Sequence, residues 1–398
     1  MTTVLAAGTC ALAPAYVIRW HVGFLPTTLL ENAILLTGLA FLVESVLERR
    51  RPHWRSALLA PALLFLVAGA ISVPTAPSPI AALGIYRAYL LEPIAFGWIL
   101  LNIVRTPGRA LAVVSGLWTG ATVVGLANAA VVAIAVQNHA YDVVNTPPVV
   151  IYSTANAVAL FVVPLVAVAG AVTLHGAGPA RYLGAAFVAI GTLVTVLSFS
   201  RGGYLALAAV VTGLAISHRR RILLALGAVV LAAGLALVPQ VRRRVVIEVT
   251  NGGGSTTASR VDLWVAAVKL IQHRPLLGGG LSGFQVRSAP YFSHAHTYAD
   301  FIYPHNILLN FWVETGLLGL LSMAWIIGAS ALVNFRAWLA APEAWRPYHL
   351  GVLLALVAII VHGQVDVPYF KNDLSLEFWA LLGVSAAAGQ WGGSPLGR

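Results

Sequence analysis

Repeated long apolar runs constrain this chain more than any other feature of its sequence. A run of about 17 to 25 apolar residues is long enough to cross the hydrocarbon core of a bilayer as a helix. The chain has 398 residues, of which 59% are hydrophobic and only 9% are charged. That leaves too few charged side chains to cover a soluble particle of this size. The sequence therefore predicts an all-α membrane protein.

The predicted architecture has about twelve transmembrane helices and one large extracytoplasmic loop. Predicted spans lie near residues 4–18, 27–47, 56–73, 80–103, 110–136, 150–174, 182–199, 203–217, 220–238, 306–333, 348–363 and 374–390. They divide the chain into a first helical region, 1–238, a loop with an amphipathic helix, 239–304, and a second helical region, 305–398.

The basic residues lie mainly in the connections between the predicted spans. The net charge is +11, but it is spread over short connections and forms no single patch for nucleic acid. With a cytoplasmic N-terminus, the inside connections hold Arg49, Arg50, Arg51, Arg55, Arg105, Arg109, Arg181, Arg219, Arg220, Arg221, Arg336, Arg346 and Arg398, and the outside ones Arg19, Arg201 and Lys371. The positive-inside rule thus predicts an inner-membrane protein with both termini in the cytoplasm. The first span lacks a basic leader segment, so we expect it to be retained.

An unusual polar stretch opens the tenth predicted span. His305 and Asn306 stand at its start, and Glu314 follows about two helical turns later. Ionisable groups are costly in hydrocarbon, so they mark a candidate functional site. Pro304 ends the preceding loop, which predicts His305 at a helix start on the membrane–water boundary.

Two arginines near glycine or a predicted helix start are candidates for holding an anion. Arg201 precedes two glycines in a short hairpin that also contains Tyr204. It either anchors the membrane interface or forms an anion cradle with free backbone N–H groups. Arg260 follows Ser259, a predicted N-cap, and cations are disfavoured in a first helical turn unless an anion binds there. Apolar residues at 261, 264, 265, 268 and 271 predict a helix lying on the outer membrane surface.

The remaining polar candidates allow more than one interpretation. His362 and Asp366 are one helical turn apart and either shape the site or satisfy each other. Arg87 and Glu92, five residues apart, are predicted to point about 140° away from each other, in an ion network or lining a cavity. His294 and His296 are weak evidence for a metal site.

The group chemistry indicates transfer from a diphosphate. Two guanidinium groups can hold a diphosphate and neutralise charge as its bond breaks. An imidazole can accept the proton of an incoming hydroxyl near neutral pH. On the outer face of the membrane, where no nucleotide is present, a lipid-linked diphosphate donor would itself supply the free energy for the transfer.

Three motifs occur in order over roughly residues 150–380. They are Ser200-Arg201-Gly202-Gly203-Tyr204, then Ser259-Arg260 with Trp264, Pro275-Leu276-Leu277-Gly278 and Gly283-Phe284, then His305-Asn306 with Gly316-Leu317-Leu318-Gly319. In this order they resemble the bacterial O-antigen ligase and O-antigen polymerase superfamily. Leu320 stands where many ligases have threonine, which leaves open a polymerase or a ligase that acts on another surface polymer or on a protein.

This resemblance implies a polytopic glycosyltransferase of the type C-like architecture, without metal or cofactor. The donor would be a glycan on undecaprenyl diphosphate and the acceptor a hydroxyl of a glycan, lipid or protein on the outer face. His305 would be the catalytic base, and Arg201 and Arg260 would bind the diphosphate. Beside these three residues from the resemblance, the remaining polar candidates are expected to support the site, namely Asn306, Glu314, Tyr204, Asp366, His362 and Arg87.

Two other classes remain as alternatives. A transporter or flippase also has many spans with a few charges, although transporters often show internal repeats with a site near the midplane. A membrane scaffold in which these residues only pack is the third interpretation.

Overall fold

The computed structural model describes residues 1–23, 25–138, 148–223, 225–227, 254–292 and 301–391. Over these residues the protein is almost entirely helical. The helices are α1 (Thr2–Ala11), α2 (Leu29–Leu47), α3 (Leu59–Thr75), α4 (Pro79–Ile103), α5 (Pro107–Gln137), α6 (Ala155–His175), α7 (Gly178–Leu197), α8 (Arg201–Ser217), α9 (Gly254–His273), α10 (Phe284–Ser288), α11 (Ile307–Ala340), α12 (Arg346–Gly363) and α13 (Asn372–Trp391).

Several of these helices can cross a membrane. Within the described residues, seven are long and apolar enough, namely α2, α4, α5, α6, α7, α11 and α12, and α1, α3 and α8 are shorter apolar helices. The prediction of an all-α membrane protein is therefore confirmed. Twelve spans and a large loop stay a prediction, because most of 220–238 and much of 239–304 lie outside the described residues.

Helix α6 lies at the centre of the bundle. It is buried along most of its length and packs against α7, α8 and α12. Helix α11 packs against α3 and α12, and α13 packs against α4. An aromatic cluster of Phe65, Phe311, Tyr369 and Phe370 joins α3, α11 and the α12–α13 connection. This cluster supports the first turns of α11, where the polar stretch begins.

The N-terminal segment differs from the predicted span 4–18. Helix α1 ends at Ala11, a 3-10 helix covers Ala13–Val17, and a hairpin of β1 (Arg19–Val22) and β2 (Leu25–Thr28) follows. Pro14 lacks a backbone N–H and interrupts α-helical hydrogen bonding. Ten residues of helix rise about 15 Å, roughly half of the hydrocarbon thickness.

The predicted separation of Arg87 and Glu92 is wrong. Arg87 Nε lies 3.2 Å from Glu92 Oε1, and Arg87 Nη2 lies 2.6 Å from Glu31 Oε2. The reason is a π-helical segment over Tyr86–Leu91. Its wider turn places residues five apart on one face, whereas an α-helix would separate them. Arg87 is thus held in an ion network between α2 and α4.

The observed start of helix α9 corrects two further predictions. It begins at Gly254, so Ser259 is no N-cap and Arg260 stands beyond the first turn. The argument from the helix dipole at Arg260 therefore fails. The predicted membrane-facing side of this helix stays a prediction. Val261, Val265 and Val268 on that side are exposed, while a second face containing Leu263 and Leu270 is buried in the protein. Both faces are apolar in sequence, and packing against Phe284, Phe292 and Val313 decides which of them is buried.

Candidate active site

His305 and Asp366 form a side-chain pair at the start of α11. Nδ1 of His305 lies 3.0 Å from Oδ1 of Asp366, and the imidazole is 28% exposed. Asp366 lies in the connection between α12 and α13, far away in sequence. With the carboxylate ionised, Nδ1–H donates to it, and the lone pair of Nε2 remains available to accept a proton.

The environment of Asp366 keeps its carboxylate charged. Burial raises the pKa of this group, but the hydrogen bond and charge of His305, the charge of His362 and a backbone bond from Val367 lower it, to about 2. Val367 N donates to Oδ1 at 2.9 Å. The Asp366 carboxylate is therefore ionised near neutral pH and accepts a hydrogen bond from the His305 imidazole.

Asn306 fixes the backbone next to His305. Its Oδ1 accepts from the N–H groups of Leu308 and Leu309, both at 3.1 Å, so Asn306 is the N-cap of α11. Its Nδ2 donates to the carbonyl of Gln364 at 3.2 Å. The same amide thus begins the helix and joins it to the connection that carries Asp366. His305, one residue before the cap, agrees with the predicted position at the helix start.

Arg201 is the first residue of α8, and the Ser200 side chain caps that helix through Gly203 N. The neighbouring Gly202 lies against α12. A Cβ at Gly202 would be 2.5 Å from Cδ2 and 2.7 Å from Nε2 of His362. Glycine therefore allows the N-terminus of α8 to pack directly on the histidine one turn before Asp366.

His362 connects the motifs electrostatically. It is buried, and neither ring nitrogen has a hydrogen-bond partner in the described part of the chain. The charges of Asp366 and Arg260 both act on its imidazole. The alternative that His362 and Asp366 only satisfy each other is wrong, because Asp366 pairs with His305.

Helix α9 reaches the same place through Trp264. The indole Nε1 donates to the His305 carbonyl at 3.4 Å, one turn after Arg260. The structure thus gathers the segments bearing Arg201, Arg260 and His305 around His362 and Asp366. We call this region the His305 end of the bundle.

Three predicted supporting residues have other contacts in the structure. The buried Glu314 carboxylate accepts a hydrogen bond from Ser282 N in the glycine-rich loop. The Tyr204 hydroxyl donates to the Val196 carbonyl at 2.7 Å and so joins α8 to α7. Arg87 belongs to the network with Glu31 and Glu92. These contacts shape the elements around the site.

The glycine motifs of the loop and of α11 dock on each other. Gly316 interrupts α11 with φ 69° and ψ −177°. Leu317 N then donates to the Leu276 carbonyl at 3.0 Å, and Gly279 N to the Val313 carbonyl at 2.7 Å. The loop between α9 and α10 therefore pairs with the break in α11 and packs beside the first turns after His305.

Phe301 was missed by the sequence analysis. Its ring packs edge-on against His305, with centroids 5.6 Å apart. An aromatic residue four positions before the histidine is a weak signal, because the intervening loop has no regular period. No group of three or more His, Cys, Asp or Glu side chains in the described residues is arranged to hold a metal ion. His294 and His296 lie outside the described residues.

Two comparisons with known proteins concern the family that this chain resembles. Residues 185–324 match the family model described as O-Antigen ligase. The chain is also 30% identical over 201 residues to the O-antigen ligase of Salmonella typhimurium strain LT2, covering 46% of this chain and 47% of that protein. The chain thus spans about half the length of the curated relative it matches. Both matches support the O-antigen ligase and polymerase superfamily, and the matched range contains Arg201, Arg260 and His305.

Proposed function

We propose that this chain, an integral membrane protein of the O-antigen ligase and polymerase superfamily, transfers a glycan from undecaprenyl diphosphate to an acceptor hydroxyl. The observation that carries the proposal is the pairing of the half-buried His305 with the ionised Asp366. A base held in one tautomer by a carboxylate is the arrangement that general-base catalysis needs.

The proposed reaction is a direct displacement at the anomeric carbon. Nε2 of His305 takes the proton of the acceptor hydroxyl as its oxygen bonds to that carbon. The bond from the anomeric carbon to the diphosphate breaks, and the lipid diphosphate leaves with the electron pair. Asp366 stabilises the imidazolium that forms. A single displacement of this kind inverts the anomeric configuration.

Arg201 and Arg260 are the proposed diphosphate ligands. Planar guanidinium forks bind phosphate oxygens in pairs and stabilise the charge that grows on the leaving group. The proposal is supported by the packing of Gly202 on His362 and by the charge of Arg260 acting on that same imidazole. Both arginines are therefore carried by segments next to the His305–Asp366 pair.

The position of these groups favours transfer over transport. They lie at the start of α8, the start of α11 and the end of α12, whereas transporter sites typically lie near the bilayer midplane. We place this end outside the cytoplasm on the basis of the arginine distribution.

Purified protein incubated with a glycan on undecaprenyl diphosphate tests the function. With a suitable acceptor we expect stoichiometric release of undecaprenyl diphosphate and a glycosylated product. A single addition indicates a ligase, and a ladder formed from donor alone indicates a polymerase. Movement of intact donor across vesicles without any new glycosidic bond would refute the transferase and indicate a flippase.

A further inference from the structure

Arginine and tryptophan side chains gather at the end of the bundle opposite His305. Tyr348, at the start of α12, donates its hydroxyl to the Pro107 carbonyl at 3.1 Å, whereas the end of α12 carries His362, one turn before Asp366. The 18 residues of α12 rise about 27 Å, which is close to the hydrocarbon thickness of a bilayer. The region where α4 ends and α5 begins therefore lies about one bilayer thickness from the proposed site of transfer.

Two arginines meet at the C-terminus of α4. Arg105 Nε donates to the Asn102 carbonyl at 3.1 Å, and Arg109 Nη1 donates to the Ile103 carbonyl at 2.9 Å. The two carbonyls are consecutive along the chain, so these contacts hold the two guanidinium groups close to each other. A helix C-terminus carries only about half a negative charge, which leaves most of the charge of two arginines unbalanced.

The connection between α2 and α3 is joined to the same helix end. The Asn102 side chain binds the His53 backbone twice, accepting from its N–H at 2.6 Å and donating to its carbonyl at 3.2 Å. Trp98 Nε1 donates to that carbonyl at 3.0 Å, and Trp54 stacks on the Trp98 ring with centroids 4.3 Å apart. These contacts place the Trp54 side chain, which is 58% exposed, beside the helix end that holds the arginines.

Trp391 contributes a second indole from the end of α13. Its Nε1 donates to the Leu101 carbonyl at 3.0 Å, and the guanidinium carbon of Arg105 lies 4.8 Å from the centroid of its ring. The aromatic face holds the guanidinium in place, while N–H groups at the edge of the guanidinium can still bond to an anion. We call Trp54, Arg105, Arg109 and Trp391 the arginine–tryptophan surface.

The two guanidinium groups present donors that a ligand can reach. Arg109 is exposed, and Arg105 is half-buried with neither terminal nitrogen enclosed. Within the described residues, their side chains make only the two hydrogen bonds to α4 carbonyls and form no ion pair. The connections 48–58 and 104–110 contain six arginines and one acidic residue, Glu48, which pairs with Arg50 at 2.7 Å. The surface therefore combines excess positive charge with accessible donors.

The position of the surface indicates that the anion belongs to a lipid. Helices α2, α4 and α5 are each long and apolar enough to cross a membrane, and the surface lies where α2 and α4 end and α5 begins. In the last turns of α2, Leu42, Val46 and Leu47 are exposed. Side chains at such a boundary meet lipid headgroups, and tryptophan is typical of this depth. An anionic phospholipid supplies phosphate oxygens for the guanidinium groups and hydrocarbon for the apolar helix surface.

We propose that the arginine–tryptophan surface binds the headgroup of an anionic phospholipid in the leaflet opposite the site of transfer. The phosphodiester accepts hydrogen bonds from the accessible N–H groups of Arg105 and Arg109. The Trp54 ring packs against the glycerol and the first methylenes, and the acyl chains continue along α2.

Binding of dioctanoyl phosphatidylglycerol to the purified full-length protein in an uncharged detergent tests the site. Dioctanoyl phosphatidylcholine, which has a phosphodiester but no net charge, is the matched lipid and should bind more weakly. We expect Arg105→Gln and Arg109→Gln each to weaken phosphatidylglycerol binding about five- to tenfold, because each removes a charge-assisted contact to phosphate. Arg219→Gln, which removes an exposed arginine from the connection after α8, is the control and should bind as the wild type does.

Trp54→Ala separates a defined site from general attraction by positive charge. This variant keeps every arginine, and we expect it also to bind phosphatidylglycerol more weakly, because the exposed indole is lost. Wild-type affinity in folded Trp54→Ala together with an equal loss in all three arginine variants would show attraction by net charge alone and would overturn the site.

Arg109→Gln decides the matter if Arg105→Gln fails to fold, because the Arg109 side chain is exposed. Unchanged phosphatidylglycerol binding by folded Arg109→Gln would refute the proposal. Displacement of phosphatidylglycerol by an equal concentration of glycerol 3-phosphate, which has no acyl chains, would indicate a site for soluble phosphate and would also refute it. No glycan donor is present, so the result is independent of the proposed glycan transfer.

Discussion

His305 has an unusual backbone as well as an unusual location. Its φ of 51° lies in the left-handed region, which costs a residue with a Cβ about 1 kcal/mol or more. The cap made by Asn306 and the bond from Trp264 to the His305 carbonyl hold this conformation. We infer from this strain beside the Asp–His pair that holding the imidazole in position outweighs the conformational cost to the backbone.

Asp366→Asn should lower the rate of transfer about a hundredfold, with little change in the KM for donor. An asparagine keeps the shape but cannot stabilise an imidazolium or hold Nδ1 protonated with the same preference. Steady-state kinetics with saturating acceptor measure the effect. Glu343→Gln, an exposed carboxylate at the other end of α11, is the control. Wild-type kcat in Asp366→Asn would remove the carboxylate from the mechanism.

The same pair predicts a pH dependence of stability. The pKa of Asp366 is about 2 in the folded protein, below the ordinary value of about 3.9. The ionised pair therefore stabilises the fold above pH 4, and this contribution is lost as the pH falls from 4 towards 2. Thermal unfolding in detergent should show the wild type losing stability relative to Asp366→Asn on acidification. Parallel curves would contradict this linkage.

Arg201→Lys should raise the KM for donor about tenfold or more, because an ammonium cannot present a planar fork to the diphosphate. Arg219→Lys, in the predicted cytoplasmic cluster, is the matched control. Donor titration of both variants measures the effect. An unchanged KM in Arg201→Lys would support the alternative of an interface anchor.

Among the secondary-structure elements, α11 has a shape that depends on a single glycine, Gly316. Its positive φ breaks the helix, and the freed backbone pairs with the loop that follows α9. A Cβ at this position would overlap the carbonyl oxygen of Leu276. Glycine is required here both by conformation and by space.

Gly316→Ala should destabilise the protein by about 1–3 kcal/mol and loosen the loop between α9 and α10. Gly328→Ala, in the same helix, meets nothing within 4 Å and should be neutral or slightly stabilising. Thermal unfolding and limited proteolysis of the two variants measure the difference. Equal stability of the two would refute the requirement for glycine at 316.

The elements also show where sequence reasoning stops. Apolar length predicted most helices correctly, because a bilayer imposes a minimum run on every span. No distinctive residue in the sequence marks the π-helical turn that pairs Arg87 with Glu92. A projection that assumes an α-helix therefore places the two residues on different faces. Helix α9 has two apolar faces, and only the tertiary partners Phe284 and Phe292 select the buried one.

At the scale of the whole molecule, three motifs distant in sequence meet at one end of the bundle. His305 and the two arginines could be proposed from the sequence, because charged groups in an apolar chain are conspicuous. The pairing of His305 with Asp366 could not, because it depends on how α11 and α12 pack. The same packing places Gly202 on His362 and so joins α8 to the pair.

Transfer by His305→Ala tests the central claim most directly. Purified variant and wild type are compared for release of undecaprenyl diphosphate and for binding of the donor, with the exposed His21→Ala as control. We predict that His305→Ala binds donor normally and loses at least about a thousandfold in rate, because the variant lacks the proposed general base. Transfer at the wild-type rate by folded His305→Ala would contradict the account.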